Sequence, residues 1–459
     1  MGKAKKEKKP AEGKIGIGKF WAWESREVSD AATVLILGYL SLFCTDVIHI
    51  DPLIVGTVLA ISKVIDAITD VLAGYIVDRT ETKWGKGRPY TFCMFGVWIC
   101  IILLFSCPQS ISDGGKVAWV CIMYILAKAV FSTLLDASER VYQLRAFDEK
   151  QIIRFAACGG IAMSLCGFAV AILLPQMVQN AGNSVAMWGK MAMTLGIPLS
   201  LLGMVRFIFI KEKYDFNENT TEEFKLKDVF YMLKTNEHIW PFFLTSIMIN
   251  ISTSIGVGQY FFKHVIGNLG IMSAFAAISI LALPILFILP ALMRRFTIRQ
   301  IMVTADAVAI VFGLIGYVFY TNIPVLMIVC VVTTMASLPG TYLVGLITLQ
   351  CAEYNEYCGK RRMEGTIGSV IGFAKNVGAA LGTFLAGVAL KVIHYDGAAE
   401  TISAGTEQGL RFLMYILPVI LLAVQLICMS RYKLEDHIEE IKEANVERRE
   451  KAVAADEEA

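Results

Sequence analysis

Residues 62–90 read SKVIDAITDVLAGYIVDRTETKWGKGRPY. The stretch starts inside an apolar run that occupies 54–77, carries the carboxylates Asp66 and Asp70 four residues apart, and stops in a loop containing Arg79, Lys83, Lys86 and Arg88. A run of roughly 20 apolar residues is long enough to cross a ~30 Å hydrocarbon layer as a helix. A cluster of Lys and Arg at its end marks the side of the membrane on which the loop stays, because basic loops resist translocation. One spanning helix and one cytoplasmic loop follow from this stretch, and the rest of the chain repeats the pattern.

Further apolar blocks fall at 28–48, 89–107, 117–137, 151–178 and 189–210, and then at 239–262, 271–293, 301–320, 323–350, 365–392 and 409–430. Of the 459 residues 56% are hydrophobic and 18% charged, which is too apolar for a soluble domain. The expected fold is therefore an all-α membrane protein with twelve transmembrane helices in two six-helix halves, 28–210 and 239–430. A basic arm (1–27), a charged central loop (211–238, including KEKYDFNENTTEEFKLKD) and a charged tail (431–459) complete the division. The arm is followed by no short apolar segment with a small-residue cleavage site, so it reads as retained and cytoplasmic. Arg140, Arg145, Arg294, Arg295, Arg299, Lys360, Arg361 and Arg362 follow even-numbered spans, whereas PQSISDGGK and QNAGNSVAMWG on the opposite side are poor in basic residues. Both termini are thus expected in the cytoplasm of a cell whose plasma membrane the chain crosses many times. In the tail, Leu434, Ile438 and Ile441 recur at helical spacing, and a solvated helix with a frayed end is the plainest expectation.

A net charge of +2 gives no reason to expect nucleic acid as a partner. No CxxC or Cys/His spacing points to zinc, no HExxH or GxSxG lies in a span, and neither an enzyme nor an organic cofactor is expected. The informative side chains are the charges at lipid depth, which cost about 2.5–3.5 kcal/mol each at a helix centre and so face an interior or a wet cavity. They are Asp30, Lys63, Asp66, Asp70, Lys128, Asp136, Asp306 and Lys375, with Arg154 just inside the fifth span. Asp66 and Asp70 share one helix face, and such a pair either shares a proton or is held ionised by a cation. A salt bridge from Lys63 to Asp66 is the structural alternative, and the two can hold in different states. In STLLDASER, Thr133 and Asp136 likewise share a face, adding oxygen ligands of the kind that a hard ion such as Na⁺ requires. For Asp306 and Lys128, an internal pair or a cavity lining is the simpler reading.

Beyond these residues the chain resembles a known family. DAITDVLAGYIVDRTETKWGKGRPY is similar to the helix-two to helix-three signature of the glycoside–pentoside–hexuronide:cation symporters, within the major facilitator superfamily. Thr45-Asp46-Val47 closes the first span in the same register, and Asp136 and Lys375 fall where helices four and eleven of that family carry an aspartate and a lysine. The resemblance implies cation-coupled symport of a sugar or glycoside by alternating access. It implies a cation site of Asp66, Asp70, Thr133 and Asp136, with Na⁺ held by the three carboxylates if sodium is the ion. Sugar would be held by Asp30, Asp136 and Arg154, with Lys375 near both sites. Asp136 would touch sugar and ion together.

One position departs from the family. Four residues after the helix-four aspartate an aromatic ring is usual, and here Arg140 stands, preceded by Glu139. An Arg there suits an acidic sugar, since it can donate bidentate bonds to a carboxylate; a contact with Glu139 or lipid is the alternative. Arg79, Lys83, Lys86 and Arg88 either serve orientation alone or form a cytoplasmic gate with Glu353, Glu356 and Glu364. Rival functions are symport of another solute such as a lysolipid, and a transport-dead sensor of the same fold.

Overall fold

The computed structural model describes residues 15–213, 234, 236–358, 364–399 and 401–457. The regular elements among these residues are helices, and the sole extended pairing among them is an isolated bridge between Thr82 and Gly85 in the basic loop. Helices are what a lipid-exposed backbone must form, since no water is present to satisfy its N–H and C=O groups. The spans are α1 (Ile17–Asp46), α2 (Pro52–Asp78), α3 (Arg88–Phe105), α4 (Asp113–Ala146), α5 (Glu149–Ala181) and α6 (Val185–Phe209). They continue as α7 (Ile239–Val265), α8 (Ile271–Leu292), α9 (Ile298–Val318), α10 (Ile323–Tyr357), α11 (Glu364–Val392) and α12 (404–430), and a charged helix, α13 (Ile438–Glu457), follows. The all-α membrane fold expected from the sequence is the fold observed. Polar caps set several starts: Asp148 with Gln151 and Thr297 with Gln300 form reciprocal capping boxes, and Ser112, Asn322 and Ser403 each accept from the third helical N–H.

The chain divides into two compact units, residues 1–50 with 64–220, and residues 51–63 with 221–459. Within the first, Phe43, Phe105 and Trp188 form a buried aromatic cluster, with Phe105 and Trp188 stacked at 5.5 Å between ring centroids. A second cluster gathers Trp23, Tyr142, Phe147 and Phe155. Trp23 is why α1 begins at Ile17, inside the stretch expected to be a cytoplasmic arm: its ring needs those aromatic partners, and the helix extends to deliver it.

Within the second unit, glycines set the helix spacing. A Cβ placed on Gly378 of α11 would lie 2.6 Å from the carbonyl oxygen of Ile247, and one on Gly382 would lie 2.7 Å from that of Ile251. Glycines four residues apart let α7 and α11 pack backbone to backbone, the small-residue route to association in lipid. The start of α2 meets the end of α11 in the same way, with a Cβ on Gly387 falling 2.5 Å from the Pro52 carbonyl oxygen and one on Gly56 falling 2.8 Å from that of Thr383. Beside this crossing Lys391 Nζ donates to Asp51 at 2.9 Å, which holds the Asp51 carboxyl below the usual carboxylate range.

The tail departs from the solvated helix expected. Leu434 and Ile441 are buried, Asn445 donates to the Glu353 side chain at 3.0 Å, and Arg448 donates to the Glu356 carbonyl at 2.8 Å. The apolar spacing is the reason, since it gives the helix a face that docks on the C-terminal end of α10. The central loop lies largely outside the described residues.

Two outcomes follow. Gly378→Val is expected to lower stability by about 1–3 kcal/mol, because the added atoms meet main chain that cannot yield. Gly372→Ala, with open space around its Cβ, should leave it unchanged; both are checked by thermal unfolding in detergent. Asp51→Asn should cost no more than about 1 kcal/mol. Because the folded carboxyl is depressed, that cost should be full above its unfolded value and vanish as pH falls through the folded one.

Candidate functional site

Seven charged residues of the first unit converge where α1, α4 and α6 meet. From α1 come Glu24, Arg26, Glu27 and Asp30; from α4 come Asp136 and Glu139, one turn apart; from α6 comes Arg206. Arg26 is 4% exposed and spreads its guanidinium between two carboxylates: Nη1 donates to Glu27 and Nη2 donates to Asp136. Glu139 lies 3.9 Å from Arg26 and accepts from Arg206 Nη1 at 2.6 Å. Arg206 is clamped, with its guanidinium carbon 3.7 Å from the Trp23 ring centroid and 4.5 Å from that of Tyr142, whose hydroxyl donates to the Ile210 carbonyl at 2.7 Å. Rings over a desolvated guanidinium add cation–π attraction of about 2 kcal/mol. Gly159 of α5 leaves room for Glu24, since a Cβ there would lie 2.6 Å from its carboxylate oxygen.

The residues singled out from sequence are placed as follows. Asp136 joins the Arg26 network, and Asp30 and Lys128 are near enough to act on it electrostatically. Asp30 is half-buried, with the Thr33 hydroxyl 3.3 Å from its Oδ1. Thr133 is buried and donates its hydroxyl to the Lys128 carbonyl at 3.0 Å across a π-helical segment of α4, Leu126–Ser132. Wide turns of this kind recur at functional sites. Lys128 Nζ donates to Ser132 at 3.2 Å, and both Lys128 and Asp66 act on Tyr124. Asp66 is half-buried and Asp70 exposed. Among the described residues, no three His, Cys, Asp or Glu side chains stand close enough to hold a metal ion, so Asp66, Asp70 and Asp136 are not gathered in this conformation. Arg140 is exposed on α4, Lys375 is exposed on α11 in the second unit, and the side chains of Arg154 and Glu364 lie outside the described residues.

Asp306 finds an internal partner, accepting from Gln425 Nε2 at 2.7 Å. In the basic loop, Glu212 accepts from the backbone N–H groups of Lys86, Gly87 and Arg88 at 2.8–2.9 Å, and Arg145 stands 3.9 Å away. The Arg88 side chain donates to the Phe207 carbonyl at 2.6 Å and 3.0 Å, and Arg79 lies over the Tyr75 ring. The loop is thereby fixed on its own unit.

Sequence reasoning passed over Arg26, Glu27, Glu139 as an ion-pair partner, Arg206 and Glu212. The usable signal was ESREVSD at 24–30, in which Arg26 and Asp30 share a helix face; it was hidden by starting the first span at 28.

The sequence profile described as MFS/sugar transport protein matches residues 29–436. An uncharacterised symporter of Bacillus subtilis, YnaJ, is 28% identical over 415 residues, covering 87% of each chain. A putative glycoside/cation symporter of Escherichia coli, YagG, is 26% identical over 428 residues, covering 88% of each. Among solved structures, the nucleoside transporter NupG superposes with a TM-score of 0.62 at 15% identity, covering 91% of this chain and 99% of that one.

Glu212 generates a direct outcome. Glu212→Ala removes the acceptor of three loop amides and should cost about 1–3 kcal/mol locally. Trypsin should then cleave after Arg79, Lys83 or Lys86 about tenfold faster than in the unaltered chain, with unchanged cleavage as the contrary result.

Proposed function

Because the chain belongs to the MFS/sugar transport protein family, we propose that it is a cation-coupled symporter that moves a sugar or glycoside across the plasma membrane by alternating access, with both termini cytoplasmic. The observation that carries this reading is the setting of Asp136: a carboxylate on a spanning helix, 57% exposed at its side chain, with Asp30 and Arg26 beside it. An acid there is costly unless it is paired or serves a ligand, and Asp136, paired with a buried Arg26 while itself exposed, is open to a ligand as well. Asp66, Asp70, Thr133 and Asp136 supply oxygens suited to Na⁺ or, through the carboxylates, to H⁺. Asp30, Asp136, Arg154 and Lys375 supply the donors and acceptors that a polyhydroxylated ring needs. No covalent chemistry and no cofactor enter the cycle.

One charge moving inward across 100 mV releases about 2.3 kcal/mol, before any concentration gradient is counted. For that energy to concentrate sugar, ion occupancy must raise sugar affinity, and sugar must raise ion affinity by the same factor. A carboxylate touching both ligands is a short route to such coupling. Gating would fall to the basic loop: Lys86 and Arg88 are held through their backbones on Glu212, leaving Arg79 and the Lys86 side chain to meet acids such as Glu356 when the cytoplasmic side closes. The exposed guanidinium of Arg140, one turn beyond Asp136, favours an acidic sugar as a second reading.

Uptake in membrane vesicles over neutral and acidic sugars, with and without Na⁺ at two pH values, tests the function. Asp70→Cys is expected to abolish ion-stimulated accumulation while leaving exchange down a gradient. Full accumulation in that variant would remove Asp70 from the ion site.

A further inference from the structure

The Arg26–Asp136 pair is asymmetric. The Arg26 side chain is 5% exposed and that of Asp136 is 57% exposed, so the carboxylate can be approached from outside while the guanidinium cannot. Arg26 also has other partners. It donates to Glu27 and lies 3.9 Å from Glu139, and Asp30 acts on it as well. Should Asp136 be taken by another cation, Arg26 would still stand among three carboxylates and would not become an uncompensated buried charge, the event that makes breaking such pairs expensive. Arg206 is built differently, being pinned to Glu139 and clamped between two aromatic rings.

We propose that Arg26 is a tethered counter-cation for Asp136, occupying that carboxylate when the coupling ion is absent and yielding it when the ion binds. The proposal rests on the symport reading and deepens it, by naming a residue that sets ion affinity. Its physical content is competition: ion and guanidinium cannot both hold the same carboxylate oxygen. The ion's apparent affinity is therefore weakened by the strength of the Arg26–Asp136 bond, and Arg26 returns to reset the empty carrier. The pair also keeps Asp136 from standing as a bare carboxylate in the membrane during that reset, which would oppose movement without the ion.

The test uses the purified full chain in nanodiscs, with thermal stabilisation by NaCl and LiCl at fixed pH, and by lowered pH in choline chloride, giving the ion's dissociation constant. Removing a charge-assisted competitor should tighten binding, so Arg26→Gln is expected to lower that constant about tenfold. In Arg26→Gln/Asp136→Asn the gain should disappear, because it acts through Asp136. Arg26→Lys keeps the charge and should stay within about threefold of the unaltered chain, where loss of the planar fork weakens but does not remove the competitor. If Arg26→Gln fails to fold, Arg26→Gln/Glu27→Gln restores the charge balance and carries the same expectation. Unchanged or weaker ion binding in the folded Gln variant, or a gain that persists without Asp136, overturns the proposal and makes Arg26 a brace. If Na⁺, Li⁺ and H⁺ stabilise neither the unaltered chain nor any variant, the cation-coupled reading itself fails, and that result is distinct from the other two.

Discussion

Charge at lipid depth is costly unless it is paired, and the guanidinium of Arg26, spread between Glu27 and Asp136, is where the first unit ties three such charges together. The first unit brings α1, α4 and α6 together there. Arg206 extends the network through Glu139, and the aromatic rings of Trp23 and Tyr142 hold Arg206 in place. The aromatic cluster that starts the first helix at Ile17 is the same cluster that delivers these charges. Packing and electrostatics are therefore one arrangement, and a change in what occupies Asp136 bears on the contacts of three helices.

How much of this was legible in the sequence differs by element. The spans were legible because an apolar run of sufficient length has one outcome in lipid, and the order of the helices follows directly. The acids Asp30, Asp66, Asp70 and Asp136 stood out because they are expensive where they lie. Their partners did not. Arg26 and Asp136 are 110 residues apart, and spacing along one helix says nothing of which helix will face it. Glu212 was hidden for a related reason: at the edge of a charged loop, nothing distinguishes a solvated glutamate from one that accepts three backbone amides.

The glycines show the same limit from the apolar side. Gly378 and Gly382 form a small-residue stripe that can be read from the chain, but only the structure says that α7 fills it. Gly56 and Gly387 lie far apart in sequence and meet backbone to backbone. In the tail, charge points to solvent, but the three apolar residues Leu434, Ile438 and Ile441 outweigh it and dock the helix.

The central claim is that a carboxylate shared by ion and substrate couples their movements, and linkage tests it most directly. The ion's dissociation constant is measured with and without a transported sugar, and the sugar's with and without the ion. The two ratios are expected to be equal and greater than one in the unaltered chain, and to fall to one in Asp136→Asn. A coupling factor that survives the loss of that carboxylate would contradict the account.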